Sequence, residues 1–104
     1  MVDQTPTRLG VTELLGDKRE AILKLAKQYG ATDVRVFGSV ARGEAQPDSD
    51  IDFLMQFSEQ TNIFDMVGLW QDLTDLLQRE VDLIADHPSG GRITQIARKE
   101  AIPL

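Results

Sequence analysis

The 104-residue sequence contains no cysteine and no long apolar run. The absence of cysteine excludes disulfide bonds, thiolate metal sites and thiol nucleophiles, and it agrees with a reducing compartment. No stretch approaches the ~18–20 apolar residues that a membrane-spanning helix needs. Residues 1–10 are polar and lack the apolar core of a secretory signal peptide. We therefore expect a cytoplasmic protein that does not span a membrane.

Positive charge is also scarce, with 11 Lys and Arg residues against 17 Asp and Glu residues and a formal net charge of −6. Proteins that hold nucleic acid by its phosphates usually present a basic face. The composition therefore disfavours direct nucleic-acid binding. It favours cations or a basic protein as partners.

The chain length suits one domain over 1–104, in which 1–10 form a loose N-terminal lead. Apolar periodicity predicts helices at about 18–29, at about 63–79, and in a last segment that includes residues 93–101. We expect Asp17 and Glu20 to form a capping box on the first helix. We expect Asn62 to cap the second helix, with Asp65 near its positive end.

Short β-type runs predict strands at 34–37, 51–55 and 81–85. The resulting order of helix, strand, turn, strand, helix, strand and helix indicates a small α/β domain with a three-stranded core sheet or a slightly larger one, flanked by helices. The link between the first two strands is roughly a dozen residues long and is interrupted by turn-forming residues, Pro47 among them. Such a link favours antiparallel pairing of these two strands and hence a mixed sheet.

The segment Asp50-Ile51-Asp52 places two carboxylates on one side of a strand, because side chains alternate between its faces. Carboxylates this close repel each other unless a cation lies between them or one is protonated. Oxygen-only ligands favour Mg²⁺ or a similar hard ion. If the strand at 81–85 lies alongside, Asp82 can join the cluster. Three carboxylates could then hold two metal ions ~3.5–4 Å apart, as in in-line displacement at phosphorus.

A phosphate-binding turn is predicted beside this cluster, at Gly38 and Ser39, where a strand turns into about one helical turn. Glycine permits close backbone approach, the following amides can bind phosphate, and Ser39 adds a hydroxyl donor. Arg42 can neutralise phosphate or pair with Glu44 or Asp48. Ser49 can orient Asp50 or simply belong to the turn.

The pattern of Gly38-Ser39, ten intervening residues and Asp50-x-Asp52 resembles the signature of the DNA polymerase β-type nucleotidyltransferase superfamily. The fuller strings at 37–45 and 47–53 are similar to the minimal nucleotidyltransferases, the MntA-type antitoxins, and the similarity extends over nearly the whole chain. The resemblance implies the minimal nucleotidyltransferase fold. It also implies that Gly38 and Ser39 contact a triphosphate and that Asp50, Asp52 and Asp82 bind metal.

The biological role is implied by the resemblance alone. Such proteins are commonly antitoxins paired with a HEPN-type ribonuclease toxin, in what would be a type VII-like toxin–antitoxin system, and some transfer AMP from ATP to a tyrosine of the toxin. Two alternatives remain open: neutralisation by binding without catalysis, and nucleotidyl transfer to a small molecule or to RNA. The apolar stripe of the helix at 63–79 is expected to pack in the core, and part of it can instead be partner surface.

Overall fold

The computed structural model describes residues 10–46, 48–88 and 90–104, so that Pro47 and all of the expected lead except Gly10 lie outside the described part. The elements, in chain order, are α1 (Val11–Leu15), a 3₁₀ turn (Gly16–Lys18), α2 (Arg19–Gln28), β1 (Ala31–Phe37), α3 (Gly38–Ala41), β2 (Ile51–Phe57), α4 (Ile63–Leu77), β3 (Val81–Ala85), α5 (Arg92–Glu100) and β4 (Ile102–Pro103). None of the described helices is long and apolar enough to cross a membrane.

The four strands form one sheet in the order β3-β2-β1-β4. β1 pairs antiparallel with both β2 and β4, whereas β2 and β3 run parallel. The expected mixed sheet and the antiparallel first pair are therefore confirmed. The fourth strand is only two residues long, too short to produce a periodic apolar pattern, and the sequence did not reveal it.

The core lies on the sheet face that carries the odd-numbered residues of β2. Ile51, Phe53 and Met55 are completely buried there. They belong to one apolar cluster with Ile22 and Ala26 of α2 and with Leu69 and Leu73 of α4. Full burial of each large apolar side chain contributes roughly 1.5–3 kcal/mol. The packing of these helices on one face leaves the other face of the sheet for α5.

Helix α5 lies against the opposite face of the sheet, and the side chains of its last turn reach both ends of the sheet. Ala97 is completely buried, and Arg98 Nε donates to the Asp86 carboxylate, just beyond β3, at 2.5 Å. At the other end of the sheet, the backbone N–H of Gly38 donates to Glu100 Oε2 at 3.1 Å. The last residue of α5 is thereby fixed beside the turn that follows β1.

The expected capping box of Asp17 and Glu20 is wrong. α2 begins at Arg19, its N-cap residue is Lys18, and no described side chain caps it. Helix α1, whose Leu15 is completely buried, was not predicted from the sequence. Because the chain enters α2 from helical and 3₁₀ turns rather than from an extended segment, there is no open helix start for a capping box to close.

The cap of α4 is confirmed. Asn62 Oδ1 accepts from the Asp65 N–H at 2.9 Å, and Asp65 Oδ2 accepts from the Asn62 N–H at 3.2 Å, which makes a reciprocal capping box. The helix ends at Leu77, earlier than predicted, because Gln78 adopts a left-handed conformation with φ of 54°. The predicted inclusion of Ala101 in the last helix is wrong, because Ala101 is extended, with ψ of 138°, and α5 ends at Glu100.

Candidate active site

Asp52 and Asp82 lie directly opposite each other on the neighbouring parallel strands β2 and β3. Residues in register on adjacent strands point to the same face of a sheet. Since Ile51 and Val81, which precede them, are buried in the core, the two carboxylates point to the face opposite the core. The sequence placed Asp82 in the cluster only on the condition that β3 adjoins β2, and the structure meets that condition.

The two carboxylates are close enough to share a proton. The pKa of Asp52 is raised from 3.8 to about 6, first by partial burial, then by the hydrogen bond with Asp82, and further by the negative charges of Asp82, Asp50 and Glu100. Each of these effects disfavours the ionised form of Asp52. A carboxyl group with a raised pKa beside other carboxylates is a common feature of functional sites.

Asp50 lies just before β2 and is exposed to solvent. The start of β2 is fixed by the Ile51 N–H, which donates to the Glu80 carbonyl at 3.0 Å. Asp50 is near enough for its charge to raise the pKa of Asp52. Within the described residues, however, no three acidic or histidine side chains already surround a point where a metal ion would sit. The structure thus brings Asp52 and Asp82 into contact and leaves Asp50 beside them.

Gly38 occupies a position that only glycine suits. Its φ is +73°, in the left-handed region, and a Cβ atom there would collide with Oδ2 of Asp52. The positive φ disfavours any residue other than glycine, and a Cβ atom would also force the Asp52 carboxylate to move. The backbone of the turn therefore lies against the carboxylate cluster. Ser39 follows it and is partly exposed, and its carbonyl accepts from the Glu44 N–H at 2.9 Å, which closes the turn.

Glu100 is a member of the site that the sequence analysis missed. One of its carboxylate oxygens accepts from the Gly38 N–H and the other from Arg42 Nη1, at 3.1 Å and 3.0 Å. A signal was present in the sequence: Glu100 is the last residue of α5, where the helix dipole disfavours negative charge. An acidic residue at the C-terminal end of a helix is stabilised by a positive or hydrogen-bonding partner elsewhere. For Glu100 these partners are the Gly38 amide and Arg42, which were predicted to bind phosphate.

Ser49 takes the local contact expected as an alternative to nucleotide binding, and Arg42 does so in part, because Glu44 was an expected partner of Arg42 and Glu100 was not. Besides Glu100, Arg42 approaches Glu44, with Nε to Oε2 at 3.5 Å. Ser49 closes the turn before β2, because its hydroxyl oxygen accepts from the Gln46 N–H at 2.8 Å. Arg42 still faces the space beside Gly38, whereas Ser49 acts within its own turn.

The fold and these carboxylates define the class of the protein. A family model described as polymerase beta, nucleotidyltransferase matches residues 20–102, and the chain belongs to this family. The protein adenylyltransferase MntA of Thermococcus cleftensis is 33% identical over 79 residues, which cover 76% of this chain and 80% of that protein. The expected family is therefore confirmed.

Several solved structures share the fold, and two of them differ in how similar they are to this chain. One, described provisionally as a minimal nucleotidyltransferase, is 41% identical with a TM-score of 0.78, and the match covers 95% of this chain and 100% of that one. The other, a toxin–antitoxin complex with AMP-PNP, is 22% identical with a TM-score of 0.71, and the match covers 83% of this chain and 71% of that one. The first confirms the minimal nucleotidyltransferase fold, and the second shows the same fold at greater divergence.

Proposed function

We propose that this protein transfers AMP from ATP to a hydroxyl group of a partner protein, with the Asp52–Asp82 pair at the reacting centre. The observation that carries the proposal is the contact of these two carboxylates beside a pair of anion-binding groups, the Gly38 amide and Arg42. Repelling carboxylates next to donors for an anion suit a site for a metal-bound triphosphate. The adenylyltransferase name of the Thermococcus relative supports the same activity.

The Gly38 amide and Arg42 bind the triphosphate in this proposal. Both donors already hold an anionic group, the Glu100 carboxylate. A phosphate oxygen presents the same kind of acceptor to the same donors. Glu100 leaves these donors when the nucleotide arrives, and the Ser39 hydroxyl adds a further donor at the turn.

Magnesium fits the donor chemistry of the cluster. The available ligands are carboxylate oxygens, which hard cations prefer, and a nearby positive charge would favour the ionised form of Asp52, whose pKa is raised by burial and by its acidic neighbours. Asp52 and Asp82 would hold the metal, with Asp50 beside them. When bound, Mg²⁺ would neutralise the triphosphate and the charge of the leaving pyrophosphate.

The acceptor hydroxyl oxygen attacks the α-phosphorus in this mechanism. A bond forms between that oxygen and phosphorus, the bond from phosphorus to the bridging oxygen breaks, and pyrophosphate leaves. The proton of the hydroxyl passes to the carboxylate of Asp82. Asp82 is exposed to solvent and is therefore accessible to an incoming partner.

We infer that the acceptor is a toxin. The solved toxin–antitoxin complex with AMP-PNP has the same fold as this chain, which supports an antitoxin role. In the finer form of the proposal, the partner is a HEPN-type ribonuclease and the modified residue is a tyrosine. The acidic charge of the chain favours a partner with a basic surface.

Mass spectrometry of the partner protein tests the proposal. Incubation of both proteins with ATP and Mg²⁺ is expected to add one AMP mass per modified site. Asp52→Asn and Asp82→Asn are each expected to abolish this addition. The matched control is Glu59→Gln, an exposed acidic residue just beyond the far end of β2, which should leave it unchanged. An unmodified partner with the unaltered chain contradicts the proposed activity.

Neutralisation by binding alone is the second candidate, and the exposed apolar residues of α4 favour it. The double variant Asp50→Asn and Asp52→Asn separates the two functions. Full neutralisation of the toxin by this variant, at matched abundance, would show that catalysis is not the mechanism.

A further inference from the structure

An apolar groove lies between α4 and β3 and reaches the candidate active site. Its volume is about 350 Å³, and its lining includes Ile63, Met66, Val67 and Trp70 of α4, and Asp82 of β3. The carboxylate proposed to accept the proton is therefore also a wall of this groove. A side chain bound in the groove would have its tip beside the reacting centre.

The α4 wall of the groove is exposed although it is apolar. Ile63 is 68% exposed, Val67 45% and Trp70 42%, while Leu69 and Leu73 on the buried side of the same helix are fully covered. Exposed apolar residues grouped on one face indicate an interaction surface. Trp70 is fixed in place because its Nε1–H donates to the Val81 carbonyl at 2.6 Å. A wall that is already ordered loses little conformational entropy when a partner binds.

The charge at the groove is negative. Asp82 is the one charged residue among those that line it, and neither α4 nor β3 contains Lys or Arg. A partner that covers the apolar wall must therefore bring either neutral or basic groups to the edge, since like charges facing each other are costly. The occupant is thus an apolar side chain on a neutral or basic protein surface.

The shape and chemistry of the groove restrict the side chain further. Its volume lies at the low end of the ~300–1,000 Å³ range of small-molecule sites, which suits one side chain better than a nucleotide. The apolar residues of α4 favour a side chain that is apolar along its length. Asp82 favours a hydrogen-bond donor at the tip of that side chain. Tyrosine meets both requirements because its ring is apolar and its hydroxyl is polar, whereas serine and threonine are too short to fill the groove.

We propose that the groove between α4 and β3 is the acceptor subsite, in which a tyrosine of the partner protein packs on Val67 and Trp70 and directs its hydroxyl to Asp82. The inference rests on the proposed function and deepens it by locating the acceptor. It separates the two substrates: ATP binds on the side of Gly38 and Arg42, and the partner binds on the side of α4. The reacting carboxylates lie between them.

NMR with N-acetyl-tyrosinamide as the probe tests the subsite without catalysis. The probe is expected to shift the amide signals of residues 63–70 and 81–83, and N-acetyl-serinamide is expected to leave them unchanged. The double variant Ile63→Ser and Val67→Ser should abolish the shifts. Because both side chains are exposed, the variant should retain its fold, which circular dichroism verifies.

Ile93→Ser is the matched control. Ile93 is 69% exposed, against 68% for Ile63, and both lie in the first turn of a helix. The control variant should respond to the tyrosine probe like the unaltered protein. Absence of shifts at α4 and β3 in the unaltered protein, or shifts that survive in the double variant, would overturn the proposal.

Steady-state kinetics with the partner protein separate this proposal from the proposed function. The double variant should raise the KM for the partner about tenfold or more and leave the KM for ATP unchanged. Transfer by the unaltered protein with an unchanged partner KM in the variant refutes the groove and leaves the function standing. No transfer by the unaltered protein refutes the function, and the NMR result then decides on the groove alone.

Discussion

Asp52 is a carboxyl group whose surroundings disfavour its ionised form. Its burial and its acidic neighbours raise its pKa to about 6, so at neutral pH the fold must hold a charge that its surroundings disfavour. Functional sites often retain such groups at the expense of stability. In the proposed function, the negative charge of Asp52 would bind the metal ion that accompanies the triphosphate.

Asp52→Asn is expected to stabilise the metal-free protein at pH 8. Because the folded-state pKa of about 6 lies above the ordinary aspartate value of 3.8, the contribution of Asp52 to stability is complete below 3.8 and is lost as pH rises through about 6. Removing the charge should gain about 1 kcal/mol at pH 8, since partial exposure screens part of the effect. The gain should shrink as the pH is lowered from 6.

Urea unfolding in the presence of EDTA at several pH values measures this gain. Glu59→Gln serves as the control because Glu59 lies in an exposed turn. A loss of stability at pH 8 in Asp52→Asn would show that the Asp52–Asp82 contact stabilises the fold rather than straining it.

Glu100→Gln is expected to strengthen ATP binding about fivefold. The Glu100 carboxylate occupies the Gly38 amide and Arg42, so the triphosphate must displace a negative charge that the variant lacks. A charge interaction near a protein surface is worth a few kcal/mol at most, and a gain of about 1 kcal/mol corresponds to this factor. Isothermal titration calorimetry gives the affinity.

Weaker ATP binding in Glu100→Gln would instead mean that Glu100 orients Arg42 for the nucleotide. Glu44→Gln is a useful comparison, because Glu44 contacts Arg42 through Nε at 3.5 Å and does not reach the Gly38 amide in the described contacts. An effect confined to Glu100 would assign it to the shared anion position.

At the scale of elements, α4 joins the core to the proposed partner surface. Its buried side contributes Leu69, Leu73 and Leu77 to the core, whereas Ile63 and Val67 remain exposed. The helix start, which bears the exposed residues, is held by the Asn62–Asp65 capping box. The cap therefore supports the exposed wall of the groove more directly than the core packing does.

Asn62→Ala is expected to destabilise the protein by about 1 kcal/mol, the usual cost of removing an N-cap side chain. The loss should be visible as a lower midpoint in urea unfolding with an unchanged slope. Gln71→Ala, at an exposed position within the same helix, should change stability by less than about 0.5 kcal/mol. Equal effects of the two substitutions would argue against a specific role of the cap.

At the scale of the whole molecule, Asp86 links three elements that are distant in sequence. Its carboxylate binds Arg35 of β1 and Arg98 of α5, and its backbone N–H donates to the Met55 carbonyl of β2 at 2.7 Å. The side chain is 7% exposed. The Asp86 network lies at the end of the sheet opposite the carboxylate cluster. Its contact with Arg98 holds α5 against the sheet.

Acid is expected to destabilise the protein through Asp86. The hydrogen bond from Arg35 lowers the pKa of Asp86, against an opposing effect of burial, and Arg98 lowers it further. A lowered carboxyl pKa contributes stability that is complete above the unfolded-state value of about 4 and is lost as pH falls through the folded-state value. Thermal unfolding between pH 7 and the acidic limit should show this decline.

Asp86→Asn should remove that pH dependence and cost about 1–2 kcal/mol at neutral pH, because Arg35 keeps only its contact with Asp33 and the exposed Arg98 loses a partner that water can partly replace. Asp33→Asn is the control, since Asp33 also contacts Arg35, at 3.2 Å, but is 49% exposed at its side chain. A neutral effect of Asp86→Asn would mean that the network is dispensable for stability.

The sequence by itself determined the features that depend on local order along the chain. The side of the sheet that Asp52 faces, the glycine turn at Gly38 and the cap at Asn62 follow from strand alternation, backbone sterics and orphan amides, which neighbouring residues settle. The family and the mixed sheet followed from the same local patterns. The capping box at Asp17 was wrong because it required knowing that the preceding residues are already helical.

Only the tertiary structure decided what meets across the chain. The register of β3 on β2 places Asp82 against Asp52, and the path of α5 brings Glu100 to Gly38, 62 residues away. Strand register and helix packing are set by burial of the whole core, which no local window of sequence contains. The chain order therefore supplied the groups proposed to react, while the packing of α4, α5 and β3 decided what surrounds them.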